Sequence, residues 1–173
     1  MAKFDDLSEY SYLEPARWVG TTLNIGWLAH DSDFSRADPD RAFVDRLWRY
    51  CSVSVHQTRG LHACEFCSDP HANAAERSGQ TFLLGSAEIR VPAGPRHLYA
   101  APNLIYHYVT AHRYAPPPGF VRAVLSAPCP PEKTYFDTLA EIGLNWTETL
   151  TADRTRTSFK FVKTPDGVIK VEV

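Results

Sequence analysis

The stretch Thr58-Arg59-Gly60-Leu61-His62-Ala63-Cys64-Glu65-Phe66-Cys67 places two cysteines around two intervening residues, with a histidine just ahead of them. Such a Cys-x-x-Cys turn, a zinc knuckle, can aim both thiolates at one ion, and tetrahedral zinc then requires two further nitrogen or sulfur donors. A helix predicted over 102–113 carries His107 and His112, with four residues between them, inside the about three to five common between zinc-finger histidines. Between knuckle and helix the sequence predicts a hairpin. Knuckle, hairpin and helix in that order are treble-clef-like. The predicted fold class is therefore α+β: a small mixed or antiparallel sheet, several helices, a knuckle element over about 56–114, and a C-terminal helix plus β-hairpin.

Helix geometry tests the ligand set. Five residues of ideal α-helix turn through about 500°, which leaves His107 and His112 about 140° apart. Both reach one metal only if the last helical turn loosens, and the prolines from Pro116 onward favour that. Otherwise His62 or His56 becomes a ligand, and His112 is a core histidine with its ring hydrogen-bonded. A redox role for Cys64 and Cys67 would want the first cysteine at a helix N-terminus. Ser68-Asp69-Pro70 argues against a helix there.

Outward from the knuckle, Leu23, Ile25 and Trp27 alternate in a half-buried strand over 22–27. Phe43, Val44, Leu47, Trp48 and Cys51 recur at helical spacing, which predicts a helix over about 39–50 with Asp38 as N-cap and Pro39 at its first position. Val53 and Val55 mark a short strand, residues 68–80 a polar loop, and Thr81–Val91 a strand bent at Gly85 with His97–Ala100 as its partner. Pro102 opens the histidine helix. A helix over 118–126 follows, then one marked by Tyr135, Phe136, Leu139 and Ile142 and stopped by Gly143. The chain closes in a hairpin, Ser158–Lys163 with Val168–Val173, around Thr164-Pro165-Asp166-Gly167. The expected organisation is a main unit of 1–127 with 128–173 packed on it.

Other polar residues have simpler expectations. Glu88 lies on a strand as a solvent-facing carboxylate, its alternative being a base at the metal site. Arg59 makes a loop hydrogen bond or clamps an anion, and Tyr106, Tyr108 and Tyr114 pack around the helix histidines or donate to them. Asp31, Asp33 and Asp38 lack the spacing of a calcium loop. Cys51 and Cys129 are small buried hydrophobes, and His30, His71 and His97 stand outside the site.

The motifs Leu23-Asn24-Ile25-Gly26-Trp27-Leu28, Thr58-Arg59-Gly60-Leu61-His62 through Cys67, and Ala101-Pro102-Asn103-Leu104-Ile105-Tyr106-His107-Tyr108 with His112, Tyr114, Pro116, Pro117 and Phe120 together resemble an uncharacterised family of small bacterial proteins carrying a domain of unknown function. The likeness spans roughly residues 20–125. It implies that His62, Cys64, Cys67, His107 and His112 share one constellation, and it supplies no activity.

At 173 residues the chain is long enough to bury a core without help from metal or disulfide. Its 18 basic and 20 acidic residues give a net charge of −2, which disfavours a nucleic-acid partner. Arg90, Arg96, Arg113 and Arg122 do not form a basic run. Asp5, Asp6 and Glu9 stand where a signal peptide would be apolar, and no apolar run is long enough for a membrane span. The expectation is a cytoplasmic protein with a bound Zn2+, structural in role, and a protein partner possible. Its alternative is a zinc-dependent hydrolase with three protein ligands and a water.

Overall fold

Val53–Val55 (β2), Glu88–Gly94 (β5) and His97–Pro102 (β6) form the centre of a five-stranded sheet in the computed structural model, which describes residues 3–69, 72–152, 159–164 and 167–172. Thr21–Asn24 (β1) pairs in parallel with β6 at one edge, and Trp146–Glu148 (β7) pairs antiparallel with β2 at the other. The order is β1-β6-β5-β2-β7. Ala74–Arg77 (β3) and Gln80–Leu83 (β4) make a separate hairpin, and so do Phe159–Thr164 (β8) and Gly167–Glu172 (β9). The architecture is α+β, and its one large sheet is mixed.

Helices cover one face of this sheet. Arg41–Cys51 (α1) buries Phe43, Val44, Leu47 and Trp48, the stripe seen in the sequence. Ile105–His112 (α2) and Pro118–Ser126 (α3) pack beside it, and Lys133–Glu141 (α4) buries Tyr135 and Leu139. Ile89 and Val91 join these helices in the main core. On the other face Tyr10 and Trp27 form a smaller cluster with Ala100, which stands opposite Arg90 in the β5–β6 register. α4 ends as predicted, with Gly143 at φ 80° and the Leu144 N–H bonded to the Leu139 carbonyl.

Several expected boundaries move. The N-cap of α1 is Asp40, whose carboxylate accepts from the Phe43 N–H; Asp38 instead pairs with Arg113 at 2.9 Å. Pro102 ends β6 rather than opening α2, because the hairpin register runs on until Pro102 faces Glu88. The strand expected over 81–91 is two strands in two sheets, parted at Gly85 with φ 97°. The loop expected over 68–80 contains β3, turned into β4 by Ser78 and Gly79, both at positive φ. Of the C-terminal hairpin's expected residues, Ser158, Pro165, Asp166 and Val173 lie outside the described residues, as do Pro70 and His71. Residues 128–152 also reach further than expected, since β7 completes the main sheet and the Tyr135 hydroxyl donates to the Arg90 carbonyl.

Glu88 does not face solvent. It is 4% exposed, accepts from the Tyr10 hydroxyl at 2.9 and 3.0 Å, and is bonded by Arg90, itself fully buried. Strand alternation puts Glu88 and Arg90 on one face, and the N-terminal segment covers that face.

Candidate metal centre

Two stretches of chain hang from one short segment, and that places the centre. The arm 58–62 runs beside 85–86, with Thr58 N–H on the Ser86 carbonyl and His62 N–H on the Gly85 carbonyl. Asn73 clasps the same point, donating to the His62 and Leu84 carbonyls. Gly85 allows this approach: a Cβ there would lie 2.3 Å from the His62 carbonyl oxygen. The Asn103 side chain accepts from the Gly85 N–H at 2.7 Å and stands just ahead of α2. The arm ends in the knuckle and α2 carries the histidines, so both halves share this anchor.

The last turn of α2 loosens as the ligand geometry requires. Arg113 takes a left-handed conformation at φ 58°, and its N–H bonds to the Tyr108 carbonyl, five residues back instead of four. Such closure widens the turn by one residue, bringing positions five apart toward a common side. His107 and His112 accordingly meet, with their Nε2 atoms 3.1 Å apart.

Cys64, Cys67, His107 and His112 each offer one donor atom, and all four atoms lie within 4.8 Å of one another. Cys64 Sγ is 3.2 Å from His112 Nε2, while Cys67 Sγ is 3.2 Å from His112 Nε2 and 3.3 Å from His107 Nε2. Ordinary Zn–N and Zn–S bonds set about 3.3 Å between two nitrogens and about 3.6 Å between nitrogen and sulfur in a tetrahedron. The donor set and its spacing are thus compatible with a zinc site and can hold a metal ion.

Burial, reinforced by the neighbouring His112, lowers His107 to about 4, so its ring is neutral and a lone pair is available. Burial also lowers His112, with the Arg36 charge adding to it. Burial pushes the Cys64 thiol up to about 11, against which the Phe66 and Cys67 backbone N–H groups favour the thiolate. A bound cation would offset that desolvation. Phe66 lies against His112, Tyr108 and Phe34, and walls the cluster with apolar surface.

The other expected participants go elsewhere. His62 lies beside Glu65 at 3.4 Å, and His56 sits at the end of β2 lining a different cavity. The Tyr108 hydroxyl donates to the Leu28 carbonyl and that of Tyr114 to Asp6, so neither donates to the histidines, and Tyr108 packs edge-on against His107. Cys51 and Cys129 are fully buried free thiols. His30 and His97 are exposed, as is Arg59.

A family model described only as a domain of unknown function matches residues 2–125 and so contains all four clustered residues. No curated protein and no solved structure matches the chain.

Proposed function

This chain belongs to the family described as Domain of unknown function (DUF7919), a description without an activity, so we propose a function from the site itself. Cys64, Cys67, His107 and His112 bind one Zn2+, and the protein works through interaction or regulation rather than catalysis. The observation that carries this reading is the convergence of two sulfurs and two imidazole nitrogens from separate elements within 4.8 Å. Two thiolates and two imidazoles close a tetrahedral shell and leave no position for water. When bound, the metal supplies a cross-link between the knuckle arm and α2.

The hydrolase alternative needs one of these four ligands to step aside and a base to stand close by. Glu88, the carboxylate considered for that role, is engaged by Tyr10 and Arg90 and lies outside the cluster, which favours the closed centre. Cysteine ligation of this kind also fits a reducing compartment, hence the cytoplasm. The described helices include none long and apolar enough to cross a membrane.

Elemental analysis of the purified chain tests the reading, with about one zinc per chain expected. Cys64→Ser and His107→Ala should lose the metal, and chelation should first release hydrogen-exchange protection between residues about 56 and 114. Free zinc at about a hundred times its Kd should stabilise the protein by about 2.7 kcal/mol. Metal-free protein of unchanged stability would overturn the proposal.

A further inference from the structure

Two of the four clustered donors stand where they can bond to each other. The Cys67 N–H donates to the Cys64 carbonyl at 3.4 Å, which closes a tight turn across the two residues between them. A turn of this kind holds its end Cα atoms within about 7 Å, and a disulfide bridges Cα atoms about 4.4–6.8 Å apart. Both sulfurs belong to a group of donors no more than 4.8 Å from one another. Joining them asks for adjustment inside one turn and moves no helix or strand.

Exposure and competition single out the same pair. Cys67 is half-buried and the most open of the four cysteines, whereas Cys51, Cys64 and Cys129 are buried. Cys51 donates its thiol to the Asn103 carbonyl, and neither it nor Cys129 belongs to the donor group. An oxidised Cys67 therefore has Cys64 as its neighbouring thiol. A bound metal keeps both sulfurs as thiolates, the form that attacks, so the helix N-terminus used by a catalytic dithiol is not required.

We propose that the centre is a redox switch, in which a hydroperoxide converts Cys64 and Cys67 to a disulfide and the metal leaves. The inference rests on the zinc reading given above. The Cys67 thiolate attacks one peroxide oxygen, so that an S–O bond forms, the O–O bond breaks and the departing hydroxide takes a proton to become water. The Cys64 thiolate then attacks the sulfenic sulfur: the S–S bond forms, the S–O bond breaks, and a second hydroxide takes a second proton. The two sulfurs give up two electrons, the peroxide accepts them, and Zn2+ passes into solution. A disulfide offers no thiolate, which leaves the metal only His107 and His112. The new bond lies inside the turn, while the metal joined that turn to α2, so oxidation exchanges a link between two elements for a link within one. Apolar contact of Phe66 with Tyr108 and His112 is then what keeps the knuckle against the helix. Closing so short a loop adds little stability, which suits a bond that thiols reduce again.

The test uses the full chain loaded with zinc, hydrogen peroxide as the oxidant and a chromogenic chelator to follow the released metal. Each peroxide consumed should release about one zinc and remove about two thiols. Alkylation and peptide mapping should find Cys64 joined to Cys67, with Cys51 and Cys129 alkylated only after denaturation. A dithiol reductant followed by zinc should restore metal binding, and Cys129→Ala should leave the release unchanged. A zinc-loaded chain that keeps its metal and its thiols in a large excess of peroxide overturns the switch and leaves the zinc reading standing. So does zinc loss through a sulfinic acid, or through a disulfide to Cys51 or Cys129. A chain purified under reductant that binds no zinc overturns the zinc reading, and the switch falls with it.

Discussion

Ile89 and Val91 point from β5 into a core closed by helices, whereas Glu88 and Arg90, on the same strand, point into one closed by the N-terminal segment. On the first side the strand meets α1 and α3, and burial alone stabilises the contact. On the second, an ion pair and a tyrosine hydroxyl hold one another in place, with the Arg90 guanidinium stacked 4.5 Å from the Tyr10 ring centre. A buried ion pair contributes little net stability against apolar residues of similar shape. One strand therefore carries an apolar face and a charged one, and the two are held by different forces.

The sharpest way to break this comparison is to remove one charge. Glu88→Ala leaves the guanidinium buried beside a lost partner and should cost about 3–5 kcal/mol in urea unfolding. The double replacement Glu88→Leu with Arg90→Met should cost less than Glu88→Ala alone. A Glu88→Ala loss no larger than the about 0.5 kcal/mol of a surface change would show the two faces to be energetically alike.

On the helical face α2 bears the two clustered histidines, and acid should expose the more buried of them, His107. His107 stands at about 4 in the fold, chiefly through burial, and at about 6.5 in the unfolded chain. Between those values the unfolded chain binds more protons. The metal-stripped protein should therefore keep this stability above about pH 6.5 and lose it toward pH 4, by at most about 1.4 kcal/mol per pH unit. Unfolding midpoints that stay level across that window, or that fall equally in His107→Gln, would remove His107 as the cause. The smallest effect belongs to Ile89→Val, expected at about 1 kcal/mol for one lost methylene in the dry core. A loss several times larger in chemical denaturation would mean that the helical face is packed as tightly as the ionic face is paired.

What was legible in the sequence follows the same division. The stripe of α1, the knuckle, and His107 with His112 on one helix were all readable, because each depends on spacing within a short stretch. The bond from the Arg113 N–H to the Tyr108 carbonyl was only anticipated as a need, since nothing local dictates Arg113 at φ 58°. Glu88 was misplaced because alternation tells which residues share a face but not what covers it, and the cover comes from Tyr10, 78 residues away. β3 hid in a polar loop because its residues alternate between half-buried and exposed without a strong apolar member. Ser78-Gly79 was the available signal for that hairpin. Spacing offers His56 only as a metal ligand, and its position at φ 49° just past β2 is not written in its neighbours.

The five-stranded sheet closes on a strand contributed from beyond the family match, which ends at residue 125 while β7 begins at Trp146. β2 is a fully buried strand, Val53 to Val55, with β5 on one side and β7 on the other. A chain stopped at residue 127 would present Val53–Val55 as an open edge, with unpaired N–H and carbonyl groups between two valines, the arrangement that templates strand addition and self-association. β7 is itself short and exposed, a poor template for a further strand. The residues after the family match thus cover a sheet edge that the matched residues alone would leave open.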